Sequence, residues 1–392
     1  MPRILILANK VPYPSKDGSS IAMARLLENF IELGNHQITY GALNTLKHRK
    51  KIVDFPDAIK KHITLKTFEE NTSPTPSNAL INLLFTKQPF HTIRFYVLSM
   101  QKWLEEFDNG YFDLVVLEGA FMGHYLPLAV LKGKKVALRA HNLEHVIWER
   151  SSKNLASPLK KFYLNIQTNR LKKFEQKLSM LVHSVWSISS IDMYWFKSFN
   201  VNTFFVPVSI KKQEMNVDIV PRRCFFLGAL DWMPNLESLQ WFLAEVWPLV
   251  NKLDSNIEFH VAGNNTPDNI MTIQAHNVHI HGKVPNAEVF SKNHGVSIIP
   301  LLSGSGVRIK LLENGSFGIP TISTTIGAEG VYEIQNSKIP LSDIPEELAK
   351  EIVALTTDSN KAAQIAQDLY TDINNRFSAK NAMASIQQAW PK

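Results

Sequence analysis

Short aliphatic, β-branched runs alternate with longer amphipathic stretches along nearly the whole chain. That rhythm restricts the fold more than any other feature. "RILILAN", "HQITYGAL", "DLVVLEG", "KVALRAHN", "SVWSISS" and "NTFFVPV" read as strands up to about residue 208. Between the first two, "SSIAMARLLENFIEL" has the apolar spacing of a helix, with Gly34 placed to close it. Strands separated by helices pair in parallel and build α/β layers. A second series follows in "CFFLGAL", "IEFHVAGN", "VHIHG", "GVSIIPL" and "PTISTT", after the polar, proline-flanked "SIKKQEMNVDIVPRR". At 392 residues the chain is long enough for two cores. The predicted organisation is an N-terminal Rossmann-like domain over 1–207, a linker over 208–221 and a second Rossmann-like domain over 222–375. Residues 376–392 form a C-terminal helix able to pack back on the first domain.

Cys224 is the single cysteine, which rules out an intrachain disulfide and suits a reducing compartment. The apolar run of "MPRILILANK" spans about five residues, too short for a secretory signal, and reads as a first strand. No stretch approaches the roughly 18 uncharged apolar residues of a membrane span. The expected location is cytoplasmic, with a peripheral seat at the inner membrane face left open. Residues 1–200 carry 27 Lys and Arg against 16 Asp and Glu, and the remainder carries 15 against 19. A basic half beside a mildly acidic one points to an anionic partner for the first domain. Five lysines (Lys160, Lys161, Lys172, Lys173 and Lys177) line "LKKFYLNIQTNRLKKFEQKLSM", whose Leu164, Leu171, Phe174 and Leu178 read as its packed side.

The stretch "SGSGVRIKLLENGSFGIPTIST", Ser303–Thr324, carries the chemistry. It runs strand, Gly/Ser turn, charged helix, strand. Gly304 and Gly306 free the turn, and a helix N-terminus offers unpaired amides and a positive dipole end to phosphate oxygens. Arg308 can fork onto phosphate while Lys310 adds a mobile point charge. Glu313, three residues beyond Lys310, shares its helix face and is an acceptor for a ribose diol. Diphosphate plus ribose is a nucleotide. The turn follows a strand of the second α/β domain, on the side where open sheets bind ligands.

"GSGVRIKLLENGSFGIPTISTTIGAEG" resembles the donor-site signature of glycosyltransferase family 4, in the branch with Gly-Ser-Gly-x-Arg-x-Lys. "FFLGALDWMPNLESLQWF", "VHIHGKVPN" and "RAHNLEH" are similar to that branch too. The resemblance implies the GT-B type of fold, two Rossmann-like domains with parallel sheets facing across a cleft. It implies that Glu313 binds ribose, that Arg308 and Lys310 hold the diphosphate with Gly228, Gly304, Ser305 and Gly306 around them, and that the backbone near Lys283 and Val284 meets the base. Ser305 stands where many members have a second glutamate. Asp231, Trp232 and Asn235 follow Gly228 where many have an Arg and a Lys, which leaves the diphosphate charge to Arg308 and Lys310. His141 falls where members place a histidine that contacts the transferred sugar.

In the first domain, "VPYPSKDGSS" follows the first strand, with Gly18 and Ser19 opening a helix at an approach for phosphate or sugar. It is not a GxGxxG, which counts against a dinucleotide-dependent dehydrogenase. Glu118 and Asn142 are further candidates on the acceptor side, with Glu144 behind them. No Asp-x-Asp near a strand end and no His/carboxylate cluster at ligand spacing is visible, so no metal and no cofactor are expected. Trp186, Trp195, Phe196, Trp232, Trp241 and Trp247 read as core. The function expected is transfer of a sugar from a nucleoside diphosphate to a hydroxyl on a glycan or lipid-linked acceptor, and the family resemblance implies retention of configuration. The partners expected are that donor and acceptor and an anionic membrane surface, not nucleic acid. A nucleotide-sugar 2-epimerase, using Glu118, His124, His141 and Glu144, and a non-catalytic nucleotide-binding subunit stay open.

Overall fold

The computed structural model describes residues 1–15, 17–153, 157–215 and 219–390, so residues 216–218 of the expected linker lie outside the described residues. The chain divides into two compact units, Met1–Ser209 with Ala379–Lys392, and Ile210–Ser378. Each is a parallel α/β layer structure.

Among the described residues, the first unit holds seven strands: β1 (Arg3–Ala8), β2 (Gln37–Thr45), β3 (Ile63–Glu70), β4 (Leu114–Glu118), β5 (Val136–Ala140), β6 (Ser184–Ser187) and β7 (Thr203–Phe205). Their order is β3-β2-β1-β4-β5-β6-β7, with every pairing parallel. Side chains alternate across the sheet. Ile4, Ile6 and Ala8 of β1 enter one core with Phe30 and Trp186, while Leu5 and Leu7 enter the other with Leu117 and Leu138. The helix Ala379–Ala389 joins this unit: Ile386 and Ala389 lie in the first of these cores, and Trp186 Nε1 donates to the Ala389 carbonyl at 3.2 Å.

β3 is an addition to the strands expected from sequence. Its "ITLKTFEE" alternates polar and apolar side chains at the sheet edge and buries only Phe68, so it lacks the continuous apolar signature of a central strand.

The second unit holds β8 (Arg223–Leu227), β9 (Glu258–Ala262), β10 (Val278–Gly282), β11 (Val296–Ile299) and β12 (Thr321–Ser323), in the order β10-β9-β8-β11-β12 and again all parallel. Phe226, Phe259, Val261, Ile298 and Ile322 fill the core on one face with Trp247. Trp186, Trp247 and Phe196 are fully buried, and Trp195 and Trp241 pack against the cores. Trp232 corrects its core assignment: it is 37% exposed, at the N-cap of the helix Met233–Trp241.

Candidate functional site

Strand order in an open parallel sheet reverses at one point, and the loops leaving the two strands there open a crevice at their carboxyl ends. In the second unit that point lies between β8 and β11. The segments leaving these strands carry Gly228–Asn235 and Ser303–Arg308.

After β11, Gly304 has φ +134°, and a Cβ on it would stand 2.5 Å from Arg308 Nη2. Only glycine lets the guanidinium lie back over the loop. There Arg308 Nη1 donates to the Ser305 carbonyl at 2.6 Å. The helix begins at Ile309, so Arg308 is its N-cap rather than a first-turn residue. At 6% exposure Arg308 is a buried clasp on the turn, and Ser305 beneath it is 2% exposed.

Lys310 is half-buried and turns toward β8. Its Nζ donates to Asn235 Oδ1 at 3.2 Å and lies 4.7 Å from the Phe226 ring centroid. Asn235 Nδ2 donates to the Ala229 carbonyl at 2.8 Å, which fixes its oxygen toward the lysine. A Cβ on Gly228 would sit 2.8 Å from Asn235 Nδ2 and 3.1 Å from Lys310 Nζ, so a side chain there would push on both groups. Gly228, Asn235, Lys310 and the clasped turn thus gather around one switch point. Glu313 is exposed on the same helix, and Val284 packs with Phe225, Ala262, Phe290 and Ile319.

Burial, and after it the positive Arg308, pulls the Lys310 ammonium down to about 7. An arriving diphosphate favours the charged form, so binding takes up a proton wherever free Lys310 is neutral. Affinity for a nucleoside diphosphate should therefore fall as pH rises above 7, by at most about tenfold per pH unit. Lys310→Met should remove that slope. Titration calorimetry between pH 7 and 9 checks this, and equal slopes for parent and variant would contradict it.

In the first unit the order reverses between β1 and β4. Glu118 ends β4 and is fully buried. It accepts from His141 Nε2 at 2.5 Å, and Arg139 Nε of β5 lies 3.7 Å from the same oxygen. Since an ionised carboxylate only accepts, His141 carries its proton on Nε2, and in the neutral ring Nδ1 keeps the lone pair. Burial, and after it the Glu118 charge, raises the Tyr40 phenol well above its usual range, which keeps a neutral hydroxyl beside the carboxylate. Behind His141, Glu175 accepts from the amides of Glu144 (2.9 Å) and His145 (3.1 Å) and from His145 Nδ1 (2.7 Å), holding the start of the helix Glu144–Lys153.

Full burial places Glu118 behind the histidine rather than against an acceptor hydroxyl. Asn142 Nδ2 donates to Glu144 Oε1 at 3.1 Å. His124 bonds Thr92 Oγ1 and stacks on Phe174, and burial holds its ring at about 4, so it is a neutral packing group near pH 7. Gly18 and Ser19 open the helix Gly18–Leu33, whose cap is the Asp17 carboxylate, paired with Lys10 at 2.8 Å. Burial works to raise the Asp17 carboxyl, and Lys10 with the Ser20 amide overrides it, holding it well below the carboxylate range. That N-terminus already has its anion.

Sequence reasoning missed Asn235 as a partner of Lys310 and missed Arg139, Tyr40 and Glu175 entirely. An asparagine two residues into a helix, after a glycine ending a strand, was the available signal for the first. The absence of a His/carboxylate cluster is corrected as well. His260, His281 and His294 place one nitrogen each within 4.8 Å of one another, as do ligand atoms of Glu258, His260 and His279. The fold assembles these from separate elements, which spacing does not reveal.

Residues 221–358 match the family described as glycosyl transferases group 1. The whole chain is 22% identical over 401 residues to an "uncharacterized 44.6 kDa protein in cps region" of Klebsiella pneumoniae, covering 98% of this chain and 99% of the relative. Among solved structures it resembles a mutant of S. aureus TarM in complex with fondaparinux, alpha-GlcNAc-glycerol and UDP, with TM-score 0.68 and 11% identity over all of both chains. It also resembles the lipopolysaccharide outer core galactosyltransferase WaaB, with TM-score 0.55 and 14% identity over 99% of this chain and 98% of that one. The matched segment lies within the second unit, and the chain has the GT-B fold.

Proposed function

We propose that this chain transfers a glycosyl group from a nucleoside diphosphate sugar to a hydroxyl of a glycan acceptor, with retention of configuration. The observation that carries this reading is the convergence of Arg308, Lys310, Asn235 and Gly228 at the β8/β11 switch point. Glycosyl transfer builds negative charge on the departing diphosphate while positive charge grows on the sugar. A buried guanidinium and an ammonium fixed by Asn235 stabilise that leaving group electrostatically, with little reorganisation. The phosphate oxygen released by the sugar takes the acceptor's proton. Glu313, exposed beyond the cations on the same helix, accepts from the ribose hydroxyls, and Val284 borders the base. His141, aimed by Glu118, offers Nδ1 to a sugar hydroxyl. The glycan ligand of TarM and the outer-core substrate named for WaaB support a cell-surface glycan as acceptor. Its anionic lipid carrier, or the membrane around it, is the partner of the basic first unit, where Lys160, Lys161, Lys172, Lys173 and Lys177 are all exposed.

A thermal-shift panel of nucleoside diphosphates and their sugar conjugates tests the donor assignment, because a ligand of the folded state raises the melting temperature. One base and one sugar should stand out from the panel. Glu313→Gln should melt like the parent and bind that nucleotide about tenfold more weakly, the loss of one charge-assisted hydrogen bond. A flat panel, or equal affinity for parent and variant, would contradict it.

A further inference from the structure

Four histidines and a glutamate meet on one face of the second sheet, away from the groups assigned to the diphosphate. Register pairs His260 of β9 with His279 of edge strand β10, and their rings stack at 4.8 Å. His281, the residue within the strand irregularity at Ile280/Gly282, also stacks on His260, with ring centroids 5.3 Å apart. His294, beyond the helix Ala287–Lys292, brings its ring to 4.5 Å from His260 and 5.6 Å from His281.

The outer contacts decide which nitrogens face inward. Glu258 Oε2 accepts from His260 Nε2 at 3.2 Å, which leaves the lone pair on Nδ1. The Phe290 carbonyl accepts from His294 Nδ1 at 2.7 Å, which leaves the lone pair on Nε2. His281 Nε2 lies 3.0 Å from His260 Nδ1. The carboxylate behind His260 and the backbone carbonyl behind His294 are the arrangement that orients metal-binding imidazoles. The 3.0 Å separation is close to the roughly 3.3 Å edge of a tetrahedral site with metal–nitrogen bonds near 2.05 Å.

We propose that His260, His281 and His294 bind a divalent first-row transition ion of the zinc class, which clips edge strand β10 to β9 and to the end of the following helix. Three imidazoles favour zinc and its neighbours over magnesium and calcium, which take oxygen ligands. Without metal, His281 Nε2–H donates to His260 Nδ1 and keeps the rings together. On binding, that proton moves to His281 Nδ1 and both facing nitrogens become ligands. The clip holds the Lys283–Val284 turn, which directly follows β10, but it supplies no charge to the leaving group.

The test uses the full chain without a histidine tag, stripped with a chelator and dialysed, and titrated with zinc against a chromophoric chelator. The parent should take up one ion per chain and gain melting temperature, and cobalt in its place should give the intense visible bands of a tetrahedral site. His281→Ala and His294→Ala should each weaken binding at least a hundredfold and abolish the zinc-dependent rise in melting temperature. His281 is exposed and His294 half-buried, so both metal-free variants should melt like the metal-free parent. If His294→Ala does not fold, His281→Ala decides alone. A parent that takes up no stoichiometric zinc, or a His281→Ala that binds zinc like the parent, overturns the proposal. Because the readout is metal binding, it stands or falls independently of the transfer reaction.

Discussion

Arg308→Ala should lower kcat and kcat/KM together by about a hundredfold, the equivalent of about 3 kcal/mol of transition-state stabilisation. The equal fall in both parameters is the informative part. It identifies an interaction made with charge that exists only as the diphosphate departs, whereas a uniform binding contact would raise KM alone. The structure adds a second consequence. Arg308 is 6% exposed and clasps the Ser305 carbonyl, so alanine also releases the turn between β11 and its helix. Arg308→Lys keeps one positive charge but loses the fork, and should fall between parent and alanine in rate. Donor kinetics beside a melting curve separate the effects. An Arg308→Ala enzyme with parental kcat would contradict the assignment.

The largest stability effect is expected at Glu118. Its carboxylate is fully buried between His141 and Arg139, and Arg139 is itself 1% exposed. Glu118→Ala leaves the guanidinium charged in the core without its counterion, a loss of about 3–5 kcal/mol. In a unit of this size that lowers the melting temperature by roughly 10 °C. A double change of Glu118→Gln with Arg139→Met removes both charges and should recover most of that loss. It should not recover activity, because His141 no longer has a carboxylate to fix its tautomer. Calorimetry of the parent and the two variants measures the first expectation and donor kinetics the second. Parental stability in Glu118→Ala would show that the ion pair contributes nothing to the folded state.

The architecture was legible because its signals are local. Apolar runs such as "RILILA" and "CFFL" bury both sheet faces and stand out from the helices between them. β3 escaped because an edge strand with one wet side carries only a weak alternation. The turn of Ser303–Arg308 was readable for the same local reason: its glycines, cations and helix start lie within a few residues of one another. Its detail was not. Arg308 reads as a first-turn cation facing a ligand, yet it lies folded over Gly304, a conformation set by a positive φ. Asn235 and Lys310 are 75 residues apart and meet only because β8 and β11 are neighbours in the sheet. Trp232, read as core, ends a strand-to-helix loop at the surface. The histidines illustrate the limit most clearly. His260 and His294 are 34 positions apart, and only strand register and the helix between them close that gap.

The proposed function requires that a nucleotide sugar bound by the second unit be spent only on an acceptor hydroxyl. The most direct measurement is release of nucleoside diphosphate from the conjugate selected by thermal shift, with and without a pool of glycan and lipid-linked acceptors. The sugar recovered is analysed in each case. Release should depend on the acceptor, with one nucleotide freed for each sugar transferred and near-background release without acceptor. A sugar epimerised in the absence of acceptor, or tight binding with no release under either condition, would contradict it.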